Sequence, residues 1–286
     1  MSVKPIDPAE AHQLDVLLRR HRVELKHGLG QNFLTDTSAR DAVAEAAGIT
    51  PDDEVLEVGA GVGTLTIALA SRCRRLVAVE LDGRLIPALR ETLTGHENVE
   101  VVRTDILRFN IRSAFPNGNE IVVGNIPYNL TGALIRKLLD EPPRPRRLSL
   151  VVQKEVAERW TAPSGASLST VAVQVFAEAQ MLFTIPAAAF TPSPRVDSAL
   201  VRLDVRERPA VEVDDIQSFF RFVEAVFQGR RKQLGGTLGR ISGQGSTEAG
   251  TRLRNLGVDP ERRPQTLGLN EWEAIYRSFG ASRAKL

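Results

Sequence analysis

The chain has 286 residues, 42% of them hydrophobic, 25% charged and 5% aromatic, with a net charge of +2. That balance supplies a sizeable core and excludes a disordered or collagen-like chain, and the length suits one large domain with a smaller one. One cysteine, Cys73, excludes an internal disulfide framework, four scattered histidines suggest no zinc site, and no stretch reaches the roughly 20 apolar residues of a membrane span.

A metal-free protein of the reducing cytoplasm is therefore expected; on oligomeric state the sequence is silent, and a monomer is the simplest assumption. Its polar leader, residues 1–27, carries Arg19, Arg20, Arg22 and Lys26 and reads either as an arm that orders on a polyanionic partner or as a helix packed on the core. Capping residues at 35–37 open a helix over 36–47, with Ala39, Val43, Ala46 and Ala47 as its apolar face and Gly48 as its stop. Short β-branched runs then alternate with helical patterns. Residues 54–58, 76–80, 99–102, 121–123 and 148–152 read as buried parallel strands, and 64–70, 84–93 and 131–139 as crossover helices. That recurrence predicts a doubly wound, Rossmann-like α/β sheet with its site at the strand C-termini.

Segments 171–185 and 199–205, joined through a Pro-rich loop, are expected as an antiparallel pair finishing the sheet edge. A hinge at 205–211 leads into a helix that Asp214 and Asp215 open and that places Phe219, Phe220, Val223, Val226 and Phe227 on one face. The glycine-rich run 235–250 reads as a loop, and helical patterns at 252–256 and 271–279 follow. The expected division is an N-terminal extension at 1–27, an α/β domain at 28–207 and a helical domain at 208–286. From Arg206 onward 14 basic residues stand against 10 acidic ones, so the basic excess lies at the C-terminal end, where it suits a polyanionic partner or simply a solvated surface.

The first predicted strand runs into Glu57-Val58-Gly59-Ala60-Gly61-Val62-Gly63-Thr64, a glycine turn feeding a helix, where absent side chains let backbone N–H groups approach a ligand. A dinucleotide site would need a glycine at Thr64. The spacing instead resembles class I S-adenosylmethionine-dependent methyltransferases. Glu80, 21 residues after Gly59, can accept both ribose hydroxyls of an adenosine, and the resemblance implies that Asp105 meets the adenine amine. Asn125-Ile126-Pro127-Tyr128 follows the fourth strand and resembles the signature of amino-methyltransferases acting on nucleobases. There Asn125 and a carbonyl near Ile126 would accept the N–H bonds of an exocyclic amine, Pro127 would stiffen the turn, and Tyr128 would stack on a flipped base. Phe190, on the Pro-stiffened loop 190–198, is expected as a second aromatic face of a clamp or as a core residue, with Arg195 as a phosphate contact.

With Leu29-Gly30-Gln31-Asn32-Phe33-Leu34 and the segment 153–159, these motifs resemble the ribosomal RNA adenine dimethyltransferase family from about residue 28 to the C-terminus. The resemblance implies that Asn32, Leu34, Gly59, Gly61, Glu80, Asp105 and Asn125 line an S-adenosylmethionine site. It further implies dimethylation of adenine N6. Phe227-Gln228-Gly229-Arg230-Arg231-Lys232-Gln233-Leu234 resembles the basic signature of the branch that modifies two adjacent adenines near the 3′ end of 16S rRNA. Arg230, Arg231 and Lys232 would meet phosphates there. The alternatives are the 23S rRNA branch associated with macrolide resistance and a binding-only ribosome-assembly factor.

Overall fold

A computed structural model describes residues 6–24, 31–140 and 142–280. Lys26, His27, Gly28 and the Leu29 and Gly30 that open the first family segment lie outside the described residues. In chain order the elements are α1 (Ala11–Arg20), β1 (Phe33–Leu34), α2 (Thr37–Ala46), β2 (Glu54–Val58), α3 (Thr64–Ala70), β3 (Arg75–Glu80), α4 (Ile86–Thr92), β4 (Val99–Arg103) and α5 (Ile111–Ala114). There follow β5 (Ile121–Asn125), α6 (Thr131–Leu139), β6 (Arg147–Gln153), α7 (Lys154–Thr161), α8 (Leu168–Phe176), β7 (Ala177–Ile185), β8 (Phe190–Thr191) and β9 (Ser198–Val205). The chain ends in α9 (Ile216–Phe227), α10 (Leu234–Ser242), α11 (Ser246–Asn255) and α12 (Leu269–Phe279).

These elements form two compact units, one of residues 1–157 and 178–205, the other of 158–177 and 206–286. In the first, seven strands lie in the order β4-β3-β2-β5-β6-β9-β7. β2 through β6 run parallel, and β9 is antiparallel to β6 from Arg147↔Asp204 to Gln153↔Ser198. β2, β3, β5 and β6 are Val- and Leu-rich without alternation because helices cover both faces, and Val55, Leu56, Leu76, Val77, Ile121 and Val122 are fully buried. β4, expected as a buried strand over 99–102, is instead half-buried with Glu100 and Arg103 exposed, because it is the edge strand and pairs only with β3. After β2 the chain steps outward to β3 and β4 and then returns to β5 on the other side of β2. That reversal opens a crevice at the carboxyl ends of β2 and β5.

Where the sheet edge was expected to begin at 171, α8 occupies 168–176 and the strand starts only at Ala177. Its β-branched run, fully buried, looks the same as a strand by periodicity, but the Ser167 side chain caps the Thr170 N–H at 3.2 Å and commits it to a helix. The expected loop at 235–250 is likewise two helices, α10 and the start of α11. In the second unit α9 buries Phe219, Phe220, Phe222, Val223 and Val226, with Asp215 capping Gln217 and Ser218. An aromatic cluster organises this unit: Phe176 stacks on Phe220 at 5.5 Å, Tyr276 meets the edges of Phe219 and Phe222, and Phe227 lies 5.3 Å from Trp272. Among the described residues no helix is long and apolar enough to cross a membrane.

Candidate active site

The turn after β2 needs its glycines. Gly59, Gly61 and Gly63 have φ of +75°, +60° and +94°, in the left-handed region that side chains disfavour. At Gly63 a Cβ would also sit 3.0 Å from both Leu89 and Thr92. The turn is pinned to the neighbouring strand by the Gly59 and Ala60 N–H groups, which donate to the Val79 carbonyl at 2.9 and 3.1 Å. One step further, the Gly61 N–H donates to Glu80 Oε2 at 2.8 Å, and the Asp82 N–H donates to Oε1 at 2.7 Å. Glu80 is buried, and desolvation raises its pKa against the opposing pull of those two amides. Each oxygen keeps a further lone pair for a hydroxyl donor.

Around this carboxylate lies a cavity of about 280 Å³. Asn32, Leu34, Gly59, Gly61, Glu80, Asp105, Asn125 and Pro127, all singled out from sequence, line it together. They converge because β2, β3, β4 and β5 end at the same edge of the sheet, with Glu80 paired to Arg103 and Asn125 to Val151. Asp105 Oδ1 accepts the Leu107 N–H at 2.9 Å, which shapes the loop after β4.

The cavity also draws in residues that sequence reasoning did not assign. Leu81 and Leu107 line it while 58% and 36% exposed, an apolar rim visible only once the loops are placed. Glu57 and Thr64 line it as well, and Glu57 Oε2 and Thr64 Oγ1 are buried without a hydrogen-bond partner among the described residues. Both stood at the ends of the glycine motif, but only burial reveals that their polar atoms are unsatisfied. Desolvation by burial pushes the Glu57 carboxyl up to about 8, with the Thr66 hydroxyl opposing and the Glu80 charge adding to it.

At the lip, Asn125 Nδ2 donates to the Asn32 carbonyl at 2.8 Å. A carbonyl can only accept, so this bond fixes the amide orientation and leaves Oδ1 as the acceptor. Ile126 is buried, its N–H donating to Val151 O at 3.0 Å. The Pro127 carbonyl accepts from the Leu130 N–H at 2.8 Å and closes the turn. Tyr128 is half-buried, and its hydroxyl lies 3.0 Å from the fully buried Ser198 Oγ, which fixes the ring from the start of β9.

Of the two readings of Phe190, a clamp face or a core residue, its burial matches the second. Its ring is 3% exposed and belongs to the same apolar cluster as Leu34. The cause is the small sheet in which β1 pairs antiparallel with β8, placing Phe190 directly opposite Leu34 on one face. Thr35 N–H donates to Ala189 O at 2.8 Å beside it. Phe190 thus anchors the Asn32–Leu34 segment over the cavity and presents no face to a base. Arg195 is exposed on its loop and does not line the cavity. Arg230, Arg231 and Lys232 lie in the second unit, exposed in the turn after α9, with no ion-pair partner among the described residues.

The donor set fits a cationic adenosine derivative. A buried carboxylate flanked by a positive-φ glycine turn suits a ribose, an apolar rim beside Asp105 suits a purine bearing an amine, and the unsatisfied oxygens of Glu57 and Thr64 suit a polar tail. A model of the family described as "Ribosomal RNA adenine dimethylase" matches residues 22–276. The Ribosomal RNA small subunit methyltransferase A of Pelotomaculum thermopropionicum is 42% identical over 92% of this chain and 94% of its own. That of Shouchella clausii is 37% identical over 96% of this chain and 97% of its own. Among solved structures, the 23S rRNA methyltransferase ErmE is similar with a TM-score of 0.67 and 32% identity over 87% of this chain and 99% of its own. A dimethyladenosine transferase from Plasmodium falciparum is similar with a TM-score of 0.68 and 25% identity over 86% of this chain and 96% of its own.

Proposed function

The chain belongs to the ribosomal RNA adenine dimethylase family, and on that premise we propose that it dimethylates N6 of two adjacent adenines near the 3′ end of 16S rRNA, using S-adenosylmethionine, as a monomer in the cytoplasm. The observation that carries the chemistry is the Asn125 amide, oriented by the Asn32 carbonyl so that Oδ1 remains to accept an N–H. Support for the small subunit over the 23S alternative comes from relatives named for the small subunit at 37% and 42% identity, against 32% for ErmE.

S-adenosylmethionine, when bound, supplies a methyl group made electrophilic by its sulfonium. Glu80 and Asp105 would hold its ribose and adenine, and Glu57 and Thr64 its amino-acid end. An exocyclic amine is a poor nucleophile because its lone pair is delocalised into the ring. Accepting its N–H bonds on Asn125 Oδ1 and on the backbone beside Ile126 favours a pyramidal nitrogen whose lone pair is available, and Pro127 keeps that backbone rigid. The Tyr128 ring, its hydroxyl held by Ser198, offers a stacking face to an adenine that has left its own stack.

Methyl transfer from labelled S-adenosylmethionine to unmodified small subunits, unmodified large subunits and naked 23S rRNA tests the reading. N6,N6-dimethyladenine on small subunits is expected, and Asn125→Ala is expected to lose transfer by about two to three orders of magnitude, the scale of removing one preorganised polar group. Label on 23S rRNA alone would reassign the substrate. Tight cofactor binding with no label on any RNA would favour the assembly-factor reading.

A further inference from the structure

The leader is used by nothing in the chemistry above, and the family match begins only at residue 22. Its α1 nevertheless packs directly behind residues that line the cavity. Leu14, Leu17, Leu18 and Val23 form one buried apolar cluster with Phe33, Val62, Leu85 and Ala88. Phe33 and Leu85 line the cavity itself, and Val62 sits inside the glycine turn. The Phe33 ring lies over Gly61, where an added Cβ would come within 3.1 Å of Phe33 Cε1. Gly61 is the residue whose N–H holds Glu80 Oε2.

A second line of contacts reaches the other oxygen of the same carboxylate. Arg84 donates from Nη1 to the Glu24 carbonyl at 2.9 Å and from Nε to Asp82 Oδ1 at 2.9 Å. Gln31 Nε2 donates to Asp82 Oδ2 at 2.8 Å. Asp82, thus braced, gives its N–H to Glu80 Oε1. The C-terminal end of α1 is further tied down by Arg20 and by His21, both paired with Glu91 at the C-terminal end of α4, the histidine at 2.7 Å.

We propose that the leader is a positioning element for the adenosine-bearing ligand: α1 presses Phe33 onto Gly61, Glu24 anchors Arg84 on Asp82, and together they set the two amides that orient the Glu80 carboxylate. The proposal rests on the reading that this cavity takes S-adenosylmethionine. A cover that only adds stability would lower the melting temperature without changing affinity; a positioning element changes affinity in a chain that is still folded. Coupling between two sites is reciprocal, so ligand in the cavity must also stabilise α1.

The test uses the full chain and S-adenosylhomocysteine as probe. Calorimetry on Leu17→Ala is expected to show binding weakened about tenfold, within the usual span of coupling between sites. Leu138→Ala, a buried truncation in α6 away from the leader, is expected to lower stability and keep the parent affinity. Arg84→Gln leaves the apolar cluster intact and is expected to weaken binding severalfold, so it serves if Leu17→Ala does not fold. Hydrogen exchange of the unsubstituted chain is expected to show slower exchange of α1 amides when the probe is bound. Unchanged affinity in Leu17→Ala or in Arg84→Gln, with α1 exchange indifferent to the probe, would overturn the proposal. Failure of the unsubstituted chain to bind the probe would overturn the cavity reading, and the leader's role with it.

Discussion

Glu57 places a carboxyl in the middle of the parallel sheet, 1% exposed, with one oxygen lacking a hydrogen-bond partner among the described residues. Burial of a charge there costs more than holding the proton, which is why its pKa moves from 4.5 to about 8. The consequence for stability has a definite sign. Below pH 4.5 the group is protonated whether the chain is folded or not; between 4.5 and 8 the unfolded chain releases the proton while the folded one keeps it, so folding stability falls across that window. Urea denaturation should therefore show a contribution on the order of a few kcal/mol lost between pH 5 and pH 8, and Glu57→Gln, which mimics the neutral acid, should abolish that slope. An unchanged slope in Glu57→Gln would mean that the carboxyl is ionised in the folded chain. The presence of Glu57 before the glycine turn was legible in the sequence, as were Glu80, Asp105 and Asn125. Its protonation was not, because ionisation depends on burial and on the approach of Glu80 from a neighbouring strand. For the same reason Phe190 was legible as an aromatic on a stiff loop, while its burial followed only from the pairing of β8 with β1.

Glycines at the scale of an element separate helix from loop less reliably than they separate one packing from another. The run that reads as a loop, Leu234-Gly235-Gly236-Thr237-Leu238-Gly239, is α10, and its glycines differ in what surrounds them. A Cβ at Gly239 would lie 2.6 Å from the carbonyl of Gly245, so this glycine permits α10 and the start of α11 to approach backbone to backbone. Gly236 is exposed with nothing near its Cβ position. Gly236→Ala should accordingly stabilise the second unit by about 0.5–1 kcal/mol through helix propensity alone. Gly239→Ala should destabilise it by about 1–3 kcal/mol, because backbone atoms must move. Thermal unfolding of the two variants checks both signs, and a stabilised Gly239→Ala would show that α10 and α11 do not pack so closely. The parallel strands were legible for the opposite reason: β2, β3, β5 and β6 are buried on both faces, so their short Val-, Leu- and Ile-rich runs record tertiary burial in local sequence. In α8 the same kind of run reads as a strand, since only the cap at Ser167 distinguishes it.

For the whole molecule, the second unit is discontinuous, 158–177 folding with 206–286, and no local pattern records an association between segments separated by three strands of the other unit. Charge, by contrast, is additive along the chain and was legible from composition: the C-terminal 81 residues carry a net +4 and the first 205 a net −2. The structure adds where that excess is available. Among the described residues of that segment three arginines are committed to carboxylates, Arg221 to Asp215, Arg262 to Glu271 and Arg277 to Glu273. Arg208, Arg240, Arg254 and Arg263 stand exposed singly without such partners among the described residues, whereas Arg230, Arg231 and Lys232 do so side by side in one turn, where their fields add. Cations already paired release few counterions on meeting RNA, while unpaired ones release theirs, so this turn should dominate the salt dependence of binding. Replacing all three by alanine is expected to weaken binding to small-subunit RNA and to flatten the plot of log affinity against log salt by roughly 0.7 to 0.9 per lost phosphate contact, about 2 to 3 in all. S-adenosylhomocysteine affinity, set in the other unit, should stay at the parent value. An unaltered salt slope would assign the turn to solvent and move the RNA contact to cations elsewhere, of which Arg195 on its exposed loop is the next to replace.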